Sequence, residues 1–111
     1  IEGILKSAKG INCCDKLNFE DLKRVIFSSL GVVSVDTMTA HLASALQKPT
    51  VVLHTGMHEV SHWYPLSSNY QVMTKILPCS PCMNSQGCST MDCIKGIDHQ
   101  EVFEKIKGWL K

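Results

Sequence analysis

A chain of 111 residues, 44% of them hydrophobic, can enclose one small core and no more. Eleven basic against ten acidic residues leave a formal charge of +1, which disfavours nucleic-acid binding, whose affinity comes mainly from clustered Lys and Arg. No apolar run approaches the roughly 18–20 residues needed to cross a bilayer, and no signal-peptide pattern is present, so a reducing, cytosolic compartment is expected.

Taken in chain order, the first regular element is an amphipathic helix over Asn18–Leu30. Leu22, Val25, Ile26 and Ser29 or Leu30 follow the 3.6-residue period, Asn18 can cap the start, and Gly31 ends it. Val32 to Val35 is a short β-branched run, the pattern of a parallel strand buried on both faces. With no intervening loop the chain enters a helix from about Thr37 to Gln47, for which Asp36 or Thr37 is the N-cap. Lys48-Pro49 breaks that helix, and Thr50–His54 is the next strand. The order helix, strand, helix, strand with short connections predicts a parallel sheet with right-handed crossovers. Residues 55–69 are polar and irregular, Tyr70–Met73 is a short edge strand, and a cysteine-rich loop spans Cys79 to Cys93. Asp98, with Glu101 three residues on, opens a last helix in a capping-box arrangement. Its buried face is expected at Val102, Phe103, Ile106, Trp109 and Leu110. No internal repeat or low-complexity tract is visible.

The junction at Asp36 carries the chemistry. A strand that runs directly into a helix leaves free backbone N–H groups and the positive end of a dipole at its carboxyl end. In an open α/β sheet that is where a phosphorylated ligand binds. His58 and His62 are four residues apart, but nothing in their loop promises a helix that would face them together. The adjacent Cys13 and Cys14 cannot readily bridge each other and are expected as loop or core thiols.

The run Asp36-Thr37-Met38-Thr39-Ala40-His41-Leu42-Ala43, followed by Ala45-Leu46-Gln47-Lys48-Pro49-Thr50-Val51-Val52-Leu53, resembles the heptosyltransferase group, glycosyltransferase family 9. Members carry D-[ST]-G-x-x-H-L-A, then A-L-x-[KR]-P-[TV] leading into a strand. Trp63-Tyr64-Pro65 matches the family's W-x-P, and Cys79-Ser80-Pro81-Cys82 with Cys88 and Cys93 matches its cysteine segment. Lys9-Gly10 to Leu30 is similar to the glycine-containing loop and helix that precede the motif.

The resemblance implies a Rossmann-like α/β parallel sheet, part of the C-terminal domain of a GT-B glycosyltransferase. Such enzymes transfer a sugar with inversion and without an essential metal, building the lipopolysaccharide core. It implies that Asp36, Thr37 and His41 line a sugar-diphosphate pocket, with Thr37 and the N–H groups of Met38 and Thr39 on the diphosphate and Gly56 close by. The implied partners are a nucleotide-diphosphate sugar, ADP-heptose foremost, and a lipid-linked saccharide acceptor held by another domain. The implied location is the bacterial cytoplasm, peripheral at the inner face of the inner membrane.

This sequence departs from the pattern at two positions. Met38 replaces the glycine after D-[ST], removing a residue that lets backbone approach phosphate closely. Thr55-Gly56-Met57 replaces the family's G-P-T. The chain begins at Ile1, and nothing in residues 1–111 corresponds to the acceptor domain with its general base. Residues 1–111 are therefore read as a partial donor-binding domain, inactive alone in transfer.

Cys79-x2-Cys82-x5-Cys88-x4-Cys93 is the second chemical signal. Four thiolates at this spacing could hold a structural zinc, although paired knuckles have two well-separated C-x2-C units. Unpaired structural thiols are the plain alternative, and a thiol-redox role lacks the helix-start context that activates a redox cysteine. A competing reading of the whole chain is thus a small zinc-binding or interaction module working through residues 79–93.

Overall fold

Asn18 starts the first helix by supplying an acceptor that the helix itself lacks. The leading N–H groups of a helix have no intrahelical partner, and the Asp21 N–H donates to Asn18 Oδ1 at 2.8 Å. In the computed structural model, which describes residues 9–64 and 68–111, this helix is α1 (Phe19–Ser28). Pro65, the last residue of the Trp63-x-Pro65 landmark, lies outside the described residues. After α1 come β1 (Val32–Val35), α2 (Met38–Ala45), β2 (Thr50–His54), β3 (Tyr70–Thr74), α3 (Asp92–Lys95) and α4 (His99–Ile106). Single 3₁₀ turns cover Val60–Trp63 and Lys107–Leu110. The first of these gives the loop containing His58 and His62 some helical character, which its composition did not announce.

The strands form one sheet in the order β1-β2-β3, with both pairings parallel. The architecture is therefore the α/β parallel sheet expected from the element order. Val35 pairs with Leu53, and Leu53 with Met73, so all three strands deliver their carboxyl ends to the same rim. The connection after α2 is a cross-brace as well as a break. Lys48 Nζ donates to the Ser29 carbonyl at 3.0 Å and lies 5.2 Å from the Phe27 ring centroid. A cation thereby meets the carbonyl end of α1, where the helix dipole favours it.

The core gathers on β2. Thr50, Val51, Val52 and His54 are buried there, and Ala40 and Ala43 of α2, Ile26 of α1 and Met73 of β3 are buried as well. The expectation that β1 is buried on both faces is not met. Val32 and Ser34 are half-buried while Val33 and Val35 are exposed. Side chains alternate across a strand, and among the described residues only one face of β1 is packed. Central placement decides burial here, since β2 is as β-branched as β1 and has a neighbour on each side.

The last helix also differs from its expected face. Val102, Ile106 and Trp109 are half-buried, but Phe103 and Leu110 are exposed. Phe103 follows Val102 by one residue and so lies around the helix from it. Leu110 sits in the 3₁₀ turn, whose tighter winding shifts side chains off the α-helical stripe. Within that turn the Trp109 ring packs close against Gly31, where an added Cβ would overlap the indole. Gly31→Ala is expected to displace the ring and cost about 1–3 kcal/mol, as overpacking usually does. Thermal unfolding together with the near-ultraviolet dichroism of Trp109 checks it; an unchanged Tm would show that the ring moves freely.

Candidate functional site

The rim at the carboxyl ends of β1 and β2 is built from the first residues past each strand. Thr37, with extended backbone (φ −134°, ψ −179°), is the N-cap of α2 and makes no side-chain cap hydrogen bond. Its own N–H donates to the Val35 carbonyl at 2.8 Å, and its hydroxyl lies 3.4 Å from that carbonyl and from Ser34 Oγ. The Ala40 N–H donates back to Thr37 O at 3.0 Å. Neither the Met38 nor the Thr39 N–H has an acceptor among the described residues. Two adjacent backbone donors therefore stand open at the positive end of a helix dipole, an arrangement suited to a phosphate.

Asp36 is not the cap. Its Oδ2 lies 2.9 Å from Nδ1 of His54, and the two side chains are 12% and 2% exposed. His54 Nε2 lies 3.1 Å from the His58 carbonyl. The carboxylate at the end of β1 is thus joined through a buried imidazole at the end of β2 to the loop that follows. His54 did not stand out in sequence, where it reads as the last residue of a hydrophobic strand. A polar residue closing a fully buried strand was the available signal.

The other rim residues converge on Trp63. Its ring centroid is 6.4 Å from that of His41 and 5.6 Å from that of His58, both tilted. His41 and Trp63 are thereby brought together beside the start of α2, whereas His62 is exposed on the 3₁₀ turn and joins no such contact among the described residues.

Residues 1–93 match the family model described as glycosyltransferase family 9 (heptosyltransferase). The chain belongs to glycosyltransferase family 9. No curated protein and no solved structure gives a significant match. Family membership makes sugar transfer the activity at the level of the family, with a nucleotide-activated sugar and an acceptor as its substrates. The matched region contains the whole Asp36–His41 rim, all three strands and the cysteine segment up to Cys93. Among the described residues, no helix is long and apolar enough to cross a membrane.

In this family 9 chain Gly56 serves close packing. It is buried, and an added Cβ would collide with Ser80 Oγ and press on Cys93 Cβ. The cysteine loop docks on it through the Cys82 N–H to Gly56 O (3.1 Å) and the Met83 N–H to Met57 O (2.9 Å). Gly56 and Ser80 border a cavity of about 170 Å³ that His54 and His58 also line. The cysteine loop is thereby part of the wall behind the rim.

The metal set expected at Cys79, Cys82, Cys88 and Cys93 falls in the loop that docks on Gly56. Among the described residues, no group of three or more His, Cys, Asp or Glu side chains is placed to hold a metal ion. Cys82, Cys88 and Cys93 border one mostly apolar cavity of about 190 Å³, with Met57 and Met91 also in its lining and Cys79 outside it. The Met91 N–H donates to Cys88 Sγ at 3.2 Å. All six cysteines are free, and Cys13 and Cys14 are exposed. Met83 and Met91, both in the loop, have left-handed backbone. The short helix α3, which the sequence did not announce, contains Cys93.

Proposed function

We propose that the rim formed by Asp36, Thr37, Met38, Thr39 and His41 is the donor side of a glycosyltransferase site. It binds a nucleotide-diphosphate sugar, with ADP-heptose as the leading candidate, for inverting transfer to a lipopolysaccharide-core acceptor. The observation that carries this reading is the pair of open N–H groups at Met38 and Thr39 beside the Asp36 carboxylate. As the glycosidic bond breaks, negative charge grows on the departing diphosphate. Backbone donors fixed at a helix start meet that charge without reorganising, so they favour the transition state over the ground state. Asp36 keeps Oδ1 without a partner among the described residues, available to accept from a sugar hydroxyl. Trp63, between His41 and His58, offers an apolar ring face beside them. By themselves residues 1–111 bind donor without turning it over, because the family's general base belongs to the acceptor-binding half.

The test uses calorimetric titration with ADP-heptose, ADP-glucose and UDP-glucose, and then Met38→Pro. Proline suits the first position of a helix, and the extended backbone of Thr37 suits a following proline. Met38→Pro therefore deletes one N–H with little effect on the fold. A hydrogen bond to a charged group contributes about 1.5–3 kcal/mol, so affinity should fall roughly 10- to 100-fold with Tm nearly unchanged. Absence of saturable binding to all three donors, or equal affinity in the proline variant, overturns the assignment.

A further inference from the structure

We propose that His54 is the positioning residue for Asp36, holding the carboxylate in the orientation in which it reads the sugar of the donor. The inference rests on the donor-site reading above. A carboxylate at the end of an edge strand has rotamers to choose from, and each unproductive one lowers affinity. His54 removes that freedom by taking Oδ2 at 2.9 Å, leaving Oδ1 as the oxygen for a ligand.

The imidazole is itself fixed. It is 2% exposed on the central strand, and its second nitrogen meets the His58 carbonyl at 3.1 Å. Each ring nitrogen thus faces an oxygen, one of the Asp36 carboxylate and one of the His58 backbone. Through the same ring, the loop carrying His58 and Trp63 is tied to the carboxylate. The rim and its loop are therefore held as one unit. A hydrophobic residue, the ordinary choice for a buried strand end, could fill this space but could make neither contact.

The two contacts can be separated because side-chain amides mimic one ring nitrogen each. Asn places its NH₂ near the position of Nδ1 and keeps the Asp36 contact; Gln places its NH₂ near Nε2 and keeps the His58 contact. Phe keeps the volume and neither contact. Each variant is titrated with ADP and with ADP-glucose as probes, and its folding is checked by circular dichroism and Tm. ADP affinity should stay within about threefold of the parent in all three variants, since the diphosphate is held by backbone N–H groups. ADP-glucose affinity should stay near the parent in His54→Asn and fall about tenfold or more in His54→Gln and His54→Phe, the loss of one hydrogen bond to a charged group. Parent-like ADP-glucose affinity in His54→Phe overturns the positioning role. So does a parallel loss of ADP and ADP-glucose binding that follows Tm across the three variants, which would mark His54 as structural alone. Asp36→Asn separates the two levels. If it binds ADP-glucose like the parent, the donor-site reading of Asp36 falls and the positioning role with it. If it loses binding while His54→Phe does not, only the positioning role falls.

Discussion

Asp36→Ala is expected to lose donor binding and to lower stability by about 1–3 kcal/mol in the same substitution. The stability loss follows from what is left behind. His54 is 2% exposed, so removing its partner strands a buried ring nitrogen, and an unmade buried hydrogen bond costs about that much. A capping carboxylate of the kind the sequence suggested would cost a similar amount, about 0.5–2 kcal/mol. Magnitude alone therefore cannot separate the two roles, but a double-mutant cycle can. Replacing both polar partners by apolar groups is nearly neutral where the pair is the interaction at stake. Asp36→Ala combined with His54→Phe should recover much of the stability in urea unfolding and none of the donor binding. Equal losses in the single and double variants would show that Asp36 acts on the helix start instead.

Ile26→Ala is expected to have the larger effect on folding, about 2–5 kcal/mol for a buried large-to-small change. Within α1, Ile26 is the buried residue among those described, while Phe19, Val25 and Phe27 are all exposed. Ile26 is therefore the one side chain of the helix, among the described residues, that enters the core. Small domains have only about 5–15 kcal/mol in total, so the urea midpoint should fall by a large fraction at an unchanged slope. Val25→Ala, at a half-exposed position on the same helix, serves as the control, with a change of about 0.5 kcal/mol or less. A matching loss at Val25 would mean that the exposed face of α1 is covered in solution.

Much of this fold is written locally. Val32–Val35 and Thr50–His54 are strands with the boundaries their β-branched runs predict. Asn18 and Asp98 both cap through their side chains, Asp98 accepting from the Gln100 N–H at 2.8 Å. Tyr70–Thr74 is the expected edge strand, one residue longer than read. These features depend on neighbours within a few positions, so pattern reading reaches them. Burial of β1 and the exposure of Phe103 and Leu110 were misread for the opposite reason. Whether an apolar residue is covered depends on strands and helices far away in sequence, and on where a helix changes its winding.

The candidate site divides along the same line. The Asp36–His41 run and the family it signals were legible because a strand feeding straight into a helix is a local event with a recognisable residue order. Even the open N–H groups of Met38 and Thr39 follow from that junction. The partner of Asp36 did not follow, since His54 lies eighteen positions on and meets it only because β1 and β2 pair in parallel with Val35 opposite Leu53. The cysteine spacing reads as a ligand set, and spacing alone does not give the placing of three thiols around one cavity or the docking of the loop backbone on Gly56. Sequence alone determined the three strands and the longer helices, the family and the anion-ready helix start, because short-range backbone chemistry specifies them. Tertiary structure decided which side chain holds the carboxylate, which faces are covered and where the cysteine loop docks, because strand register and long-range packing bring those groups together.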